Sequence, residues 1–183
     1  MIKQYWRDRL TAETREKLHE AFKAGSLEQV EEIIDHKDFP NCAVPGQDTS
    51  VLEYALYHSP LPMIRALLDR GAKLEYEWPL GFASIVEVLT TDREDKHELL
   101  ELLLDHGADV NQHGVNDYTP LHMAAVQNDA KAIEILLAHG ADPEVRTRVD
   151  DYATPLEELQ YHGLTEAAAT LKRALKQRKS KSS

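Results

Sequence analysis

Four stretches of the chain carry apolar residues in one rhythm. Ile64, Leu67 and Leu68, then Leu100, Leu103 and Leu104, then Ile133, Leu136 and Leu137 each fill positions i, i+3 and i+4, and Val30, Ile33 and Ile34 do so earlier. That spacing is a single apolar face of an α-helix. Three of these helices run into a glycine, Gly71, Gly107 and Gly140, which supplies the left-handed residue that ends a helix; Lys37 stands at that place in the first stretch. Upstream, Thr119-Pro120 and Thr154-Pro155 read as a side-chain N-cap with proline in the first turn, where its missing N–H costs nothing. A partner helix therefore starts before each apolar row.

The glycines lie 36 and 33 residues apart, and they sit in the blocks L-L-D-R-G-A-K-L from Leu67, L-L-D-H-G-A-D-V from Leu103 and L-L-A-H-G-A-D-P from Leu136. Nineteen residues before Gly140 is Leu121 in T-P-L-H-M-A-A, and nineteen before Gly71 is Leu52 in S-V-L-E-Y-A-L. A third copy, S-I-V-E-V-L from Ser84, needs two extra residues between Thr90 and His97, and T-P-L-E-E-L from Thr154 opens a last unit. The stretch T-T-D-R-E-D-K reads as an exposed turn that absorbs those residues.

These motifs resemble the ankyrin repeat, a unit of about 33 residues with T-P-L-H-x-A near its start and G-A-D-x-N near its end. The resemblance covers roughly residues 11–175. It implies an all-α fold, an ankyrin repeat solenoid of about five helix-pair units with β-hairpin-like fingers between them. The expected arrangement is one domain over 1–178: an opening unit at 11–37, repeats at 46–74, 80–110 and 115–143, a closing unit at 151–176, and a disordered tail at 179–183. Terminal units of a solenoid need a polar outer face. Lys172 takes a core leucine's place in the closing row, and Leu18 and Phe22, preceded by Ile2, Tyr5 and Trp6, cover the opening end.

Composition narrows the function. The chain has 183 residues, 42% of them hydrophobic and 29% charged, enough to bury a core and unlike a disordered or collagenous sequence. No apolar run approaches the ~20 residues of a membrane helix, and the basic start is not followed by one. Cys42 is alone, so no intramolecular disulfide forms. A cytoplasmic protein is expected. The net charge is −11, yet residues 172–183 hold six cations and no acid, leaving −17 for the rest. Such a body repels phosphate backbones and anionic lipid, so the expected partner is another protein with a basic surface, with no nucleic acid and no membrane.

Candidate chemistry is sparse. His36, His106 and His139 share one place before the helix end with Arg70; neighbouring packed helices are 8 to 10 Å apart, too far for one zinc ion at about 2 Å, so helix-end hydrogen bonding is the reading. His122 with its equivalents Glu53, Glu87 and Glu157 forms a row that could pass for acid/base groups, but no sugar cleft, phosphate-cradling loop, nucleophile elbow or H-E-x-x-H accompanies it. The ankyrin resemblance implies a structural role for His122 between repeats. Cys42 has only Lys37 nearby in sequence to favour a thiolate and reads as inert. Leu103 with Asp109, Val110 and Asn111 matches the asparaginyl-hydroxylation pattern known in ankyrin repeats. No catalytic residue, metal ligand or cofactor is expected.

What the repeat leaves free is the finger tips and the adjoining face of each first helix. The expected partner-binding residues are Asp48, Tyr57 and His58; Glu75, Tyr76, Glu77 and Trp78; Asn116, Asp117, Tyr118 and Gln127; and Asp151, Tyr152 and Tyr161. The set is aromatic and acidic. Aromatics mark interface cores, although a finger tyrosine serves equally to pack on the next finger. The resemblance implies a binding scaffold, an adaptor or stoichiometric inhibitor of immunity type, expected as a monomer; the competing readings are an enzyme and a nucleic-acid binder using the basic C-terminal tail.

Overall fold

The computed structural model describes residues 11–47, 49–74, 84–114, 117–147 and 152–181. Among them are ten α-helices: α1 (Ala12–Ala24), α2 (Leu27–Ile34), α3 (Val51–His58), α4 (Leu61–Asp69), α5 (Ser84–Thr90), α6 (Lys96–Asp105), α7 (Pro120–Val126), α8 (Ala130–Ala138), α9 (Pro155–Tyr161) and α10 (Thr165–Lys181). The protein is all-α. The chain forms two compact units, Met1–Gly81 and Phe82–Ser183.

In the first unit α1 pairs with α2 and α3 with α4, α1 lies beside α3, and α2 beside α4. In the second, α5–α6, α7–α8 and α9–α10 are the pairs; α5, α7 and α9 form one layer and α6, α8 and α10 the other. The layers follow from the apolar rows. Ile64, Leu67, Leu100, Leu103, Ile133 and Leu136 are all fully buried, and Leu18 and Phe22 close the opening pair. Ile33 and Leu137 are only half-buried, at the edge of their rows. In the closing unit Leu171 is buried and Lys172 exposed, the polar outer face a terminal unit needs.

Helix starts are fixed by side chains. Thr11 Oγ1 accepts from Thr14 N–H, and Ser50 Oγ and Thr154 Oγ1 accept from Glu53 and Glu157 N–H, at 3.1, 3.1 and 3.3 Å. Helix ends use the left-handed region at Gly71, Gly107 and Gly140, with φ of 82°, 89° and 91°. The first repeat departs from this. With Lys37 where the others have glycine, the chain turns two residues earlier at Asp35 (φ 41°), one of the few side chains that tolerate this conformation. Gly25 does double duty: its φ is 73°, and a Cβ there would lie 2.8 Å from the Pro60 ring of the next pair.

The turn between paired helices is two residues long after α3 and three after α7 and α9, but it spans 91–95 after α5. The two extra residues are not a loose polar loop. Arg93 grips Asp95 with two 2.7 Å hydrogen bonds, and its side chain is mostly covered. Nor does order stop at residue 178: α10 runs on to Lys181, because Ala174 and Leu175 keep the helical spacing and no glycine or proline interrupts it.

Three of the linkers are closed by backbone bonds among the described residues. Val44 N–H reaches Thr49 C=O and Val51 N–H reaches Cys42 C=O at 2.9 and 3.1 Å, around the antiparallel pair Ala43–Ser50. Single cross-bonds close two others, Gly114 N–H to Tyr118 C=O at 2.8 Å and Thr147 N–H to Ala153 C=O at 3.1 Å. Asparagine side chains tie linker to linker. Asn41 donates to Gly71 C=O and accepts from Lys73 N–H; Asn111 does the same with Gly140 and Asp142.

Candidate functional site

Three of the four members of the row that resembles acid/base groups, Glu53, His122 and Glu157, are occupied with helix capping. Glu53 accepts from Ser50 N–H at 2.8 Å and from the Thr49 hydroxyl at 3.1 Å. Glu157 accepts from Thr154 N–H at 2.8 Å and takes both guanidinium nitrogens of Arg146, at 2.8 and 3.0 Å. Hydrogen bonding to Arg146 and then to Thr154 holds the Glu157 carboxyl below the usual range. His122 is fully buried and joins repeats: Nε2–H donates to Ala153 C=O at 3.1 Å, which leaves Nδ1 to accept from the Thr119 N–H and hydroxyl. Burial pushes its pKa down despite the Ala153 carbonyl.

The helix-end histidines behave alike in two of three cases. His106 and His139 donate from Nδ1 to the carbonyls of Leu102 and Ile135, four residues back, at 2.8 and 2.9 Å. The Ile135 bond, with Asp105 beyond it, raises the His139 pKa despite its desolvation. His36, in the unit without the glycine, instead accepts from Asp38 N–H at 3.1 Å. Arg70 pairs with Glu31. Cys42 is buried, and burial followed by the charge of Asp38 pushes its thiol up to about 11, far from a reactive thiolate. Among the described residues no group of three or more His, Cys, Asp or Glu side chains could hold a metal ion, and no helix is long and apolar enough to cross a membrane.

Of the expected binding residues, Asp48, Glu75, Tyr76, Glu77, Trp78, Asn116 and Asp151 lie outside the described residues. The others divide. Tyr118 is half-buried, its hydroxyl donating to Glu158 at 2.9 Å and its ring meeting His122 edge-on. Asp117 sits in the left-handed region and pairs with His113 at 2.8 Å. Tyr57, Tyr152 and Tyr161 are 51%, 62% and 80% exposed, and His58 and Gln127 are exposed as well. Tyr57, Val126 and Tyr161 hold the same place in three repeats, seven residues after the N-caps Ser50, Thr119 and Thr154. They are three of the four large apolar side chains exposed among the described residues. The residue after each is His58, Gln127 or His162, also exposed.

Two side-chain groups were invisible to repeat spacing. Asp129, the N-cap of α8, accepts from Ala132 N–H at 3.0 Å, from Lys96 Nζ at 2.7 Å and from His97 Nε2 at 2.9 Å. Burial opposes its ionisation, but these three donors outweigh it and hold the carboxyl low. On the first unit, His19 Nδ1 meets the Tyr54 hydroxyl at 2.8 Å, and both rings meet His58. No motif marks either group, since each joins helices 30 or more residues apart.

A family model for ankyrin repeats (three copies) matches residues 90–171. The Arabidopsis thaliana protein XBAT34, whose name describes an E3 ubiquitin-protein ligase, is 38% identical over 96 residues, 51% of this chain and 24% of its own length. The ankyrin repeat protein FPV031 of fowlpox virus is 29% identical over 108 residues, 58% of this chain and 31% of its own. The ankyrin repeat and KH domain-containing protein mask-1 of Caenorhabditis elegans is 29% identical over 157 residues, 84% of this chain but 6% of its own. The chain thus spans less than a third of each of these relatives. Paired helices in two layers, glycine-ended second helices, the T-P-L-H histidine bonded to the next linker and the match over residues 90–171 are those of ankyrin repeats, which the chain carries over that span.

Proposed function

We propose that this chain is a protein-binding module that holds a partner protein through the ends of its first helices and the adjoining fingers. Ankyrin repeats are protein–protein interaction modules, and the observation that carries the reading here is the shared register of Tyr57, Val126 and Tyr161, exposed where the repeat does not need them. The finger residues expected from the sequence, Asp48, Glu75, Tyr76, Glu77, Trp78, Asn116, Asp117, Asp151 and Tyr152, are proposed as further contacts, with Tyr118 bracing its own repeat through Glu158. The net charge of −11 favours a partner with a basic surface. A monomer working in the cytoplasm, as adaptor or stoichiometric inhibitor, fits the free, buried thiol of Cys42. An enzyme is disfavoured because Glu53, His122 and Glu157 spend their polar atoms on capping and inter-repeat bonds.

The test is recovery of the partner from the native organism by affinity capture and mass spectrometry, then dissociation kinetics of variants. Tyr161→Ala is expected to speed dissociation roughly tenfold, with melting unchanged. Glu134→Lys, exposed on α8, is expected to leave both dissociation and melting unchanged. The opposite ranking would move the binding surface to the second-helix layer and end the proposal.

A further inference from the structure

Most histidines of this protein face a carboxylate or a carbonyl, but two face each other. On the first unit α1 and α3 pack side by side, and His19 and His58 stand with ring centroids 5.0 Å apart, edge to face. Tyr54 braces both: its hydroxyl holds His19 Nδ1 at 2.8 Å, and its ring lies 4.4 Å from that of His58. Nε2 of His19 and both ring nitrogens of His58 take no hydrogen bond among the described residues. Lys23, one turn beyond His19, brings a third cation, and its charge, after burial and the nearness of His19, holds His58 below the usual imidazole range.

Two of the neighbouring acids are already engaged. Glu20 pairs with Lys23 at 3.1 Å, and Glu53 of α3 is committed to its own helix cap. The helix packed behind, α4, carries Arg65 and Asp69. With both rings protonated, His19, His58 and Lys23 bring three positive charges together; the carboxylates nearest on α1 are Glu20 and Glu16, and α2, packed against α1, carries Glu28, Glu31 and Glu32, of which Glu31 pairs with Arg70. In a chain of net charge −11 this is a local gathering of cations. It adjoins Tyr57, whose ring lies 6.4 Å from that of His58 and which is half exposed. A proton on the His58 imidazole is costly here unless an anion arrives with it.

We propose that His19, His58 and Lys23 form an oxyanion subsite of the partner-binding face, taking a carboxylate or phosphate group of the partner protein beside Tyr57. The subsite rests on the protein-binding reading, but its test needs no partner. The probes are inorganic phosphate, acetate and chloride at matched ionic strength, added to the full chain while the imidazole ring protons are followed by NMR. Ring signals are assigned by their loss in His19→Gln and His58→Gln. Phosphate or acetate is expected to move the His19 and His58 signals saturably at about pH 6, with affinity roughly tenfold weaker at about pH 8, where free imidazole is neutral. Lys23→Met, at an exposed position, is expected to weaken binding about fivefold with the amide spectrum otherwise unchanged. Tighter binding of phosphate than acetate assigns a phosphorylated partner group, and the reverse order a carboxylate side chain. Equal, unsaturable shifts with all three salts, or unchanged affinity in both His58→Gln and Lys23→Met, would overturn the subsite and leave the protein-binding reading to its own kinetic test.

Discussion

At the scale of single residues, His122 shows how one side chain serves both fold and pH response. A neutral ring meets the Ala153 carbonyl with its N–H and the Thr119 donors with its lone pair. A second proton would sit on Nδ1, facing the Thr119 N–H. Because burial holds the folded pKa below the unfolded value, the unfolded chain takes up that proton first. The stability His122 contributes is therefore fully present above about pH 6.5 and lost as the pH falls below it. His139 acts in the opposite sense: its pKa is raised, so its contribution is present below the unfolded value and lost as the pH rises through the folded one. His122→Gln is expected to be less stable than the natural chain near neutrality and to lose less on acidification to about pH 5, read from urea midpoints. Parallel pH profiles for the two proteins would remove His122 from the acid response.

Helices and turns were unevenly legible. The apolar rows announced the second helix of each pair, and Thr119-Pro120 and Thr154-Pro155 announced two of the first helices, because both signals are local. Leu103→Ala and Leu136→Ala are accordingly expected to cost about 2 to 5 kcal/mol in chemical denaturation, each opening a cavity where the side chain is fully buried. A cost under about 0.5 kcal/mol would mean that these leucines do not line the core. The turn at 91–95 was legible in length and not in character. Its composition suggests an expendable polar loop, but Arg93 and Asp95 close on each other, and Lys96 and His97 just beyond hold the cap of α8. Bidentate geometry and contacts across 30 residues leave no trace in a local pattern. Arg93→Ala is therefore expected to lower the melting temperature clearly more than Glu94→Ala, whose side chain is exposed; equal effects would return the turn to a passive spacer. Asp35 gives the same lesson: the missing glycine was visible in sequence, but where the chain would turn instead was not.

On the scale of the whole molecule, charge is distributed by task. The basic residues from 172 onward continue a helix to Lys181, while the rest of the chain sums to −17. The candidate binding surface was readable as a set of positions, because a repeat tells which residues the core does not use. It was not readable as chemistry. Tyr118 looks like Tyr161 in sequence, yet one is tied to Glu158 and the other is 80% exposed, a difference made by the neighbouring repeat. Nor could spacing place His19 beside His58, since the opening unit lacks the motifs that align the others.

The Asn111 amide that ties linker to linker also gives the second unit a rung. Asn111 bonds the linkers on either side of α7 and α8 by a donor and an acceptor on one rigid plane, reaching Gly140 C=O and Asp142 N–H. A pull along the stack loads both bonds together, whereas the apolar rows between helices yield contact by contact. Under tension such a unit resists at its linkers first and then gives way one helix pair at a time, each freed pair paying out chain of roughly 3.5 Å per residue. Force–extension curves of the second unit are accordingly expected to show successive small steps rather than one large one.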